Sequence, residues 1–402
     1  MDSKKVLVVG AGLGGLMTAY LMSNKKYQVE VVEKNNEIGG LLANFKIEGS
    51  NLEKSYHHFF KTDSELLVLI KELGLSNKIV WNKSSVAVYS NKRMQSFLSA
   101  SDLLKFKGLS LVDKFRMGLV ALYLSYDKDW EKYKKVKAYK WMKNKVGEKA
   151  YKVIWEPLLK GKFGKDYQKI SMSWLWARIN TRGNSKDNSG KEVLGYLDGG
   201  LVQIVEKLKE KIIKNGGKII LNKEIACLRQ ARKDYDLIID TRPVQKIDYI
   251  GAITVVFSSE QNLSSYYWHN INDPKSPFLA FIQHSNFMDK KKYNNKHIYY
   301  LGNYLDHKDK AFKMSDKEIK DEWLKYLKKI YPDFDKKKIS QIKVFKFKNA
   351  QHLVDTNYKV PKYKIDSKKY RLNFAQIYPQ DRGMNFAIRE AKKLVKIINA
   401  DS

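Results

Sequence analysis

Cysteine is the scarcest residue in the chain: among 402 residues it occurs once, as Cys227. A disulfide within the chain needs two cysteines, and an iron–sulfur or multi-cysteine metal site needs more, so these classes of protein are excluded. The chain also lacks any run of about 18 uncharged apolar residues, the length that crosses a bilayer. We therefore predict no membrane-spanning helix.

Arginine is rare although the chain is strongly basic. The net charge is +33, yet only 10 of the 76 basic residues are arginine. Base readout and bidentate phosphate contacts favour arginine. Lysine is spread along the whole chain together with asparagine, as the compositional bias of an A+T-rich genome would produce. We predict no nucleic-acid partner and favour a solvated lysine surface, with attraction to an anionic membrane or a phosphorylated substrate as the alternative.

The size and apolar content of the chain are those of a globular protein. Hydrophobic residues make up 43% of the sequence, and 402 residues predict about two domains. The first predicted strand begins by residue 6, which leaves no room for a secretory signal. We expect a cytoplasmic protein, with peripheral contact at the inner face of the membrane as an open alternative.

The first forty residues contain the strongest motif. A short apolar strand runs into Gly10-Ala-Gly12-Leu13-Gly14-Gly15 and then into a helical stretch. Gly10 allows the sharp turn, Gly12 lets a pyrophosphate approach the backbone, and Gly15 lets the helix pack on the strand. The phosphates would then lie at the positive end of the helix. The motif predicts a dinucleotide site that includes Leu13 and Gly14.

Two further features follow this motif. The second predicted strand ends at Glu33, 23 positions after Gly10, where a carboxylate can accept hydrogen bonds from ribose hydroxyls. Glu33 therefore favours a ribose without a 2′-phosphate. A second glycine pair, Gly39-Gly40, provides another close backbone approach six residues later, in a segment predicted to continue as a strand over residues 41–47.

Together these features resemble the extended fingerprint of FAD enzymes of the amine oxidase, phytoene desaturase and protoporphyrinogen oxidase type. The resemblance implies an α/β fold, with a Rossmann-type FAD-binding domain and a second α+β substrate domain built from a mixed sheet and a helical insertion. It adds Lys34 and Leu41 to the cofactor-binding residues. Cys227 is predicted in a strand far from the flavin ring, so we expect FAD to be held non-covalently.

A histidine pair, His57-His58, stands among aromatic residues ahead of an amphipathic helix. The segment His58-Phe-Phe-Lys61-Thr resembles the His-x-Phe-His-Thr loop of UDP-galactopyranose mutases, with Lys61 in place of the second histidine. In the superfamily this loop crosses the flavin ring. The resemblance implies that His57 contacts flavin and that His58 is catalytic, transferring a proton near neutral pH. A hydrogen-bonded structural role is the alternative.

Residues 101–147 have a helical pattern, which predicts the start of a substrate domain. Within it, the apolar stretch 109–126 is flanked by lysines. Such a stripe is typical of a core helix. It is also compatible with a helix lying on a membrane surface.

Residues 155–200 and 283–286 resemble a bacterial group of FAD-dependent, protoporphyrinogen-oxidase-like proteins. The resemblance makes aromatic and cationic residues candidates for the substrate wall: Lys162, Phe163, Arg178 and Arg182. His284, at a predicted strand end, could line the same pocket. A structural role is an equal alternative for each of them.

Five later residues, in three segments, are predicted to contact FAD from their match to the superfamily. Ile225, in a predicted strand over residues 224–228, would bind the adenine edge through its backbone. Thr241 ends a buried strand in a Thr-x-Pro motif near the phosphates. Gly383, Met384 and Asn385 open the last helix, whose positive end would face the pyrimidine edge of the flavin.

Because these positions are dispersed, the FAD-binding domain is predicted to be discontinuous. Its segments are residues 1–84, 198–248 and 369–402, and the substrate domain comprises the mainly helical insertion 85–197 and the mixed sheet and helix of 249–368. The predicted function is a FAD-dependent oxidoreductase that moves hydride from a carbon of a small-molecule substrate to flavin N5.

Two alternatives to this function stay open. One is a non-redox sugar mutase resembling UDP-galactopyranose mutase, in which Lys162, Arg178 and Arg182 would hold a nucleotide diphosphate. The other is a scaffold protein that keeps FAD as a structural element. A lipid-linked or phosphorylated substrate is compatible with the cationic residues.

Overall fold

The computed structural model describes residues 3–25, 27–97, 99–185, 187 and 192–401. In chain order, the strands are β1 Lys5–Val9, β2 Gln28–Val32, β3 Asn44–Ile47, β4 Ser50–Glu53, β5 Phe59–Phe60, β6 Ile79–Lys83, β7 Val86–Ser90, β8 Arg93–Ser96, β9 Val193–Leu197, β10 Lys218–Ile220, β11 Leu237–Asp240, β12 Tyr249–Ser259, β13 Trp268–Ile271, β14 Ala280–Gln283, β15 His297–Asp306, β16 Ile339–His352 and β17 Lys369–Arg371.

The α-helices alternate with these strands and are concentrated between β8 and β9. In chain order they are α1 Leu13–Ser23, α2 Ser64–Glu72, α3 Ala100–Lys105, α4 Leu111–Tyr126, α5 Ala138–Val146, α6 Glu148–Ala150, α7 Glu156–Phe163, α8 Met172–Gly183, α9 Val202–Lys214, α10 Leu228–Ala231, α11 Asp316–Ile330 and α12 Met384–Ala400. Within the described residues, none of these helices is long and apolar enough to span a bilayer.

A parallel five-stranded sheet has the order β10-β2-β1-β11-β17. Its strands are apolar on both faces, as expected when helices or loops cover each side. Val6 and Val8 pack with α1, α9 and α12 in one cluster, while Leu7 and Val9 pack with α10 on the other face. Because the strands are parallel, their carboxyl ends meet at one edge of the sheet, where ligands bind in open α/β folds.

The second sheet is mixed and has the order β16-β12-β15-β14-β13-β7-β8. Only the β13–β7 pairing among its contacts is parallel. Every residue of β12 is buried. Ile253, Val255 and Phe257 face α11, and Val256 faces the cluster shared with the first sheet. The α/β fold class predicted from the sequence is confirmed, whereas the domain boundaries remain a prediction.

Three local predictions were wrong. Residues 40–42 form a 3₁₀ turn and the strand begins only at Asn44, because the two glycines at 39 and 40 adopt positive φ and turn the chain. No strand forms over residues 224–228; Ile225 instead packs from a loop against the Leu7 and Val9 face. Cys227 is exposed and directly precedes α10.

The longest strand, β16, was not predicted. Lysines at 343, 346 and 348 interrupt its apolar residues, so the segment has no clean alternation. Its outer part is half-buried or exposed, since it lies at the edge of the sheet and pairs only with β12. An edge strand can carry charged side chains without cost, which removes the signal on which the sequence prediction depends.

Candidate active site

The glycine turn between β1 and α1 is closed by backbone contacts that only glycine permits. Gly10 has a φ of 108°, and a Cβ there would lie 2.2 Å from Thr241 Oγ1. A Cβ on Gly15 would lie 2.1 Å from the carbonyl oxygen of Gly10. Both positions therefore hold helix α1 tightly against the turn, as the motif predicts.

Gly12 differs from its neighbours because it faces open space. A Cβ at this position would meet no atom within 4 Å, and its φ of −72° is accessible to any residue. Gly12 is also the residue that begins α1, so the unpaired N–H groups of the first helical turn lie beside this space. The combination is a cradle for a phosphate group. Leu13 and Gly14 contribute backbone only, since the Leu13 side chain is buried and Gly14 packs on Leu372.

The second glycine pair lies against the first turn. Gly12 and Gly39 form a parallel bridge in which the Gly39 N–H donates to the carbonyl of Ala11 at 2.8 Å. Gly39 and Gly40 both have positive φ, and a Cβ on Gly40 would lie 3.2 Å from the Gly12 Cα. The structure thus brings the two sequence motifs into one site. Leu41, which follows, is half-buried.

Glu33 ends β2 with its carboxylate turned into this site. Its Oε2 accepts a hydrogen bond from the Ala11 N–H, and its Oε1 accepts from the Asn35 N–H, both at 2.9 Å. These bonds fix the carboxylate at the turn, where the ribose of a dinucleotide would lie. Lys34 points to solvent.

Thr241 and Ile225 lie on either side of this edge of the sheet. The Thr241 hydroxyl donates to the carbonyl of Val9 at 2.7 Å, which places the side chain against Gly10. The Ile225 carbonyl accepts a hydrogen bond from Arg242 at 2.7 Å and is therefore occupied within the protein. The adenine contact predicted for Ile225 could use its N–H and remains a prediction.

Helix α12 begins at Met384, the position predicted from the sequence, with Gly383 before it. Gly383 is extended, with a φ of −168°, so glycine is not required there by backbone conformation. The side chains of Met384 and Asn385 are buried, and Asn385 Oδ1 accepts a hydrogen bond from the Leu66 N–H. Only the backbone N–H groups at this helix start are available to a ligand.

The histidine pair lies in a cluster of aromatic rings. His58 has ring neighbours Phe60, Trp268 and Tyr267, and its Nδ1 is 3.3 Å from the Tyr267 hydroxyl. His57 Nδ1 lies 2.5 Å from the carbonyl oxygen of Ser55. Both histidines are half-buried although they lie deep in the protein. We interpret this as exposure to an internal cavity.

Both histidines are neutral at pH 7. Burial, with a smaller contribution from the positive charge of Arg382, lowers the pKa of His57 to about 4. Burial followed by Arg182 lowers the pKa of His58 to about 3. Burial thus favours the neutral imidazole of His58, which can position a hydrogen bond. Proton transfer by His58 near neutral pH stays a prediction.

Asp381 connects two of the predicted substrate residues. Its Oδ2 accepts hydrogen bonds from Lys162 and from Arg178, the latter at 3.2 Å. The cations of Lys162 and Arg178 also lie 4.9 and 5.8 Å from the centre of the Trp174 ring. These positive charges hold the pKa of Asp381 well below its usual range despite burial.

The other predicted substrate residues do not contact Asp381. Arg182 faces Glu192 at 3.7 Å. Phe163 is buried against Trp174, with ring centroids 4.7 Å apart, and so belongs to the core. His284 is also fully buried, and its Nε2 lies 2.8 Å from the Tyr293 hydroxyl.

Residues that the sequence analysis did not select complete the site. Asp381 and Arg382 stand in the turn before α12, and Arg382 donates to the Tyr304 hydroxyl at 3.3 Å. Tyr267 and Trp268 contact His58. The only sequence signal for Asp381 and Arg382 was their position next to the last helix, which did not indicate their partners.

A surface cavity of about 1080 Å³ lies apart from these residues, along the loops at 355–363 and 376–380. None of the predicted site residues, all of which are described, lines it. We therefore locate the candidate site by the glycine cradle, the histidine pair and the start of α12.

Known proteins are similar to this chain in sequence and fold. A 15-cis-phytoene desaturase of Synechococcus elongatus is 24% identical over 242 residues, covering 54% of this chain and 49% of the relative. The chain thus spans about half the length of that relative. A protoporphyrinogen-oxidase-like protein from Exiguobacterium sp. 255-15 has a similar fold, with a TM-score of 0.77 and 15% identity over 100% of both chains.

A reduced UDP-galactopyranose mutase also has a similar fold, with a TM-score of 0.71 and 12% identity, covering 100% of this chain and 95% of the other. At such identities the two structures establish the fold alone. Residues 13–250 match the model of the flavin containing amine oxidoreductases, which is more than half of the chain. The resemblance predicted from the sequence is confirmed, and the chain belongs to the flavin-containing amine oxidoreductase family.

Proposed function

We propose that the protein is an oxidoreductase that binds FAD non-covalently and oxidises a small-molecule substrate. The observation that carries this proposal is the open space at Gly12, beside the N-terminus of α1. A Cβ there would meet no atom outside the adjoining chain within 4 Å, which leaves the backbone open to the approach of a pyrophosphate. The family match supports a flavin as the dinucleotide.

The residues around this space have separate roles in holding FAD. The N–H groups of the first turn of α1 would donate to the pyrophosphate, and Glu33 would accept from the ribose. The N–H groups at the start of α12 would donate to the pyrimidine edge of the ring. When bound, FAD supplies a two-electron acceptor for hydride from a substrate carbon.

The protein would shape the substrate side of the ring with the histidine pair and its aromatic neighbours. His58, Tyr267 and Trp268 form a wall of aromatic rings. His58 and Tyr267 stay uncharged near pH 7, because burial lowers the pKa of His58 and raises that of Tyr267. Such a wall excludes water and orients the carbon that loses hydride. No general base is required of His58 in this proposal.

The attachment of FAD is tested by purification and titration. We expect yellow protein whose flavin is released by acid or heat denaturation, since the single cysteine, Cys227, is exposed and lies two positions from Ile225, the proposed adenine contact. Apoprotein should recover flavin absorbance with added FAD. A colourless protein that does not bind FAD at micromolar concentration would refute the proposal.

A sugar mutase is the second candidate, and one observation favours it. Lys162 and Arg178 converge on Asp381, and Arg178 and Arg182 are close enough to His58 to lower its pKa. Cations near a flavin ring could hold a nucleotide diphosphate. Under anaerobic conditions with dithionite, a mutase would turn over UDP-galactopyranose without consuming an acceptor, whereas an oxidoreductase would consume one acceptor per turnover.

A further inference from the structure

The interior beside the histidine pair contains more positive than negative charge. We define the cationic cluster as Lys162, Arg178, Arg182 and Arg382, with the carboxylates Asp381 and Glu192. The guanidinium of Arg382 joins the others through Tyr304, whose ring centre lies 5.3 Å from Lys162 Nζ. The cluster thus contains four cations and two carboxylates. Arg182 is held only loosely, because its closest approach to Glu192 is 3.7 Å. The charges leave an excess of two positive charges in a region of low dielectric.

One member of the cluster has an unused donor. Arg382 donates one hydrogen bond, from its NH2 group to Tyr304, and its Nε is buried without a hydrogen-bond partner among the described residues. A buried guanidinium donor without an acceptor is costly, which favours an additional acceptor at this position. An anion supplied by a ligand would satisfy both the donor and the charge excess.

Two arginines of the cluster are partly exposed. The side chains of Arg178 and Arg182 are 24% and 34% exposed, although both lie close enough to His58 for their charges to act on its imidazole. His57 experiences Arg382 in the same way. The arginines and the histidine pair are therefore neighbours in the interior of the protein.

We propose that the cationic cluster binds an anionic group of the substrate, either a carboxylate or a phosphate, and so fixes the substrate against the flavin ring. Arginine forks pair with both groups through two parallel hydrogen bonds. An ammonium substrate would be repelled by the same charges. The placement against the ring rests on the proposed function, but the binding of an anion does not.

The test uses the FAD-loaded protein, in which pyrophosphate cannot occupy the cofactor cradle. Pyrophosphate, citrate and putrescine are titrated separately, with binding measured calorimetrically and through tryptophan fluorescence, since Trp174 lies under Lys162. We expect pyrophosphate or citrate to bind and putrescine not to bind. Whichever of pyrophosphate and citrate binds with the higher affinity identifies the phosphate or the carboxylate as the preferred group.

Arg182→Gln and Arg382→Gln remove one charge each without leaving an unpaired carboxylate at Asp381, and each should weaken anion binding by about tenfold or more. Arg229→Gln, on exposed α10, is the matched control and should bind like wild type. Unchanged anion affinity in both variants, or tighter binding of putrescine, would overturn the inference. If the protein binds no FAD but still binds anions through these arginines, the proposed function fails and the anion site stands.

A different observation, on the protein surface, carries a second inference. Helix α4 buries Met117 and Leu124 against the helical core. Its opposite side exposes large apolar residues, each 51–76% accessible: Leu111, Val112, Phe115, Leu119, Leu122, Tyr123 and Tyr126. At 3.6 residues per turn they fall within about 120° of the helix circumference. We call these residues the apolar face of α4.

The charged residues around this face are predominantly free cations. Lys105, Lys107, Arg116 and Lys128 are exposed and form no ion pair within the described part of the chain. Of the acids near this face, Asp113 caps α4 with Ser110, Asp127 pairs with Lys132, and Asp129 is exposed with no ion pair among the described residues. Four cations therefore stand against one unpaired carboxylate. An apolar stripe bordered by cations is typical of a helix that lies in a membrane interface.

The geometry points to the surface of an anionic lipid bilayer as the occupant of the apolar face. The bordering cations would meet lipid phosphates while the aromatic and leucine side chains enter the acyl boundary. A second copy of the chain is disfavoured as the occupant, because two chains of charge +33 would bring their cationic borders together.

Vesicle co-sedimentation tests this inference on the full chain. Wild type should bind vesicles of phosphatidylcholine with phosphatidylglycerol and release them at high salt. The affinity of the triple variant Leu111→Ser, Phe115→Ser, Leu119→Ser for these vesicles should be lower by about tenfold or more. The control variant Val68→Ser, Ile213→Ser, Val360→Ser removes three other exposed apolar residues, 42–51% accessible, and should bind like wild type.

Equal vesicle binding by the two triple variants would overturn the assignment of the face to lipid. A concentration-dependent dimer that the first variant abolishes, without vesicle binding by wild type, would show that a second copy covers the face and would also overturn it. All six substituted residues are exposed, so folding of both variants is expected and is checked by circular dichroism.

Discussion

The side-chain oxygen of Asn385 accepts a hydrogen bond of 3.1 Å from the backbone N–H of Leu66. The bond joins the first turn of the last helix, α12, to the first turn of α2, 319 positions earlier in the chain. Because both helix starts carry partial positive charge, an oxygen acceptor between them is favourable. This contact holds the start of α12 where the flavin edge is proposed to lie.

Loss of this acceptor should destabilise the protein. Asn385→Ala leaves the Leu66 N–H buried without a partner and should lower the free energy of unfolding by about 1–3 kcal/mol. Asn385→Asp keeps the acceptor between two helix starts and should lose less. Urea unfolding measures both. Equal losses would show that side-chain packing, and not the hydrogen bond, stabilises this junction.

Gly12→Val should produce a folded protein without cofactor. Gly12 has an ordinary φ and open surroundings, so valine is accommodated, but its side chain fills the proposed pyrophosphate space. FAD affinity should fall by about 100-fold or more, measured by flavin absorbance and fluorescence titration. Gly302→Val, also in open surroundings, is the control and should remain yellow. Unchanged FAD affinity in Gly12→Val would show that the cofactor does not bind at this turn.

Gly10→Ala should instead damage the fold itself. Its φ of 108° alone costs about 1–3 kcal/mol for a residue with a Cβ. The new Cβ would also lie 2.2 Å from Thr241 Oγ1. Adding Thr241→Ala should therefore recover part of the lost stability but not all of it. A measured melting temperature like that of wild type in the single variant would contradict this geometry.

Asp381→Asn should be strongly destabilising, because it leaves Lys162 and Arg178 without their shared carboxylate. Removing one partner of a buried pair costs about 3–5 kcal/mol. The control is Glu210→Gln, which breaks an exposed pair with Lys207 and should cost less than about 1 kcal/mol. Chemical denaturation compares the two. Similar small losses would indicate that water, and not Asp381, compensates these cations.

The free energy of unfolding should fall as the pH is lowered from 6.5 to 4. Burial lowers the pKa of His57, His269 and His352 to about 4 and that of His58 and His284 to about 3. Between these values and 6.5 the unfolded chain binds protons that the folded protein does not, so acid favours unfolding. Burial raises the pKa of Glu53 to about 7 and that of Asp63 to about 6, so these two carboxyl groups act in the opposite direction, but the five histidines outnumber them.

Denaturant midpoints between pH 7 and 5 measure this effect. His284→Phe, which keeps an aromatic ring among its aromatic neighbours, should reduce the pH dependence by up to one proton. His307→Gln, which alters an exposed histidine, is the comparison variant. A steeper slope in His284→Phe would contradict the assignment of the effect to buried neutral histidines.

The nucleotide-binding part of the fold was predictable because its signals are local. Gly10 and Gly15 each need glycine for a close contact at the turn, Gly12 leaves open space beside it, and an apolar strand precedes all three directly. The start of α12 at Met384 was predicted for the same reason. A short motif of this kind determines its own local backbone geometry.

The remainder of the site depends on contacts between distant parts of the chain. Asp381 meets Lys162 and Arg178 across more than 200 positions, and no spacing rule connects them. His58 was recognised by its neighbours in sequence, but its low pKa results from burial and from Arg182, which sequence does not display. Likewise, α4 was predicted to be either core or membrane-facing, whereas the structure gives it one buried side and one exposed side.

The strand order β10-β2-β1-β11-β17 has a consequence for biosynthesis. The ribosome makes the glycine turn long before β17, the strand that completes this sheet, and α12, the helix that covers α1. In the interval the nascent chain contains only part of the proposed nucleotide site. Cofactor capture must therefore wait until α12 has been translated, and products truncated before residue 369 should be colourless.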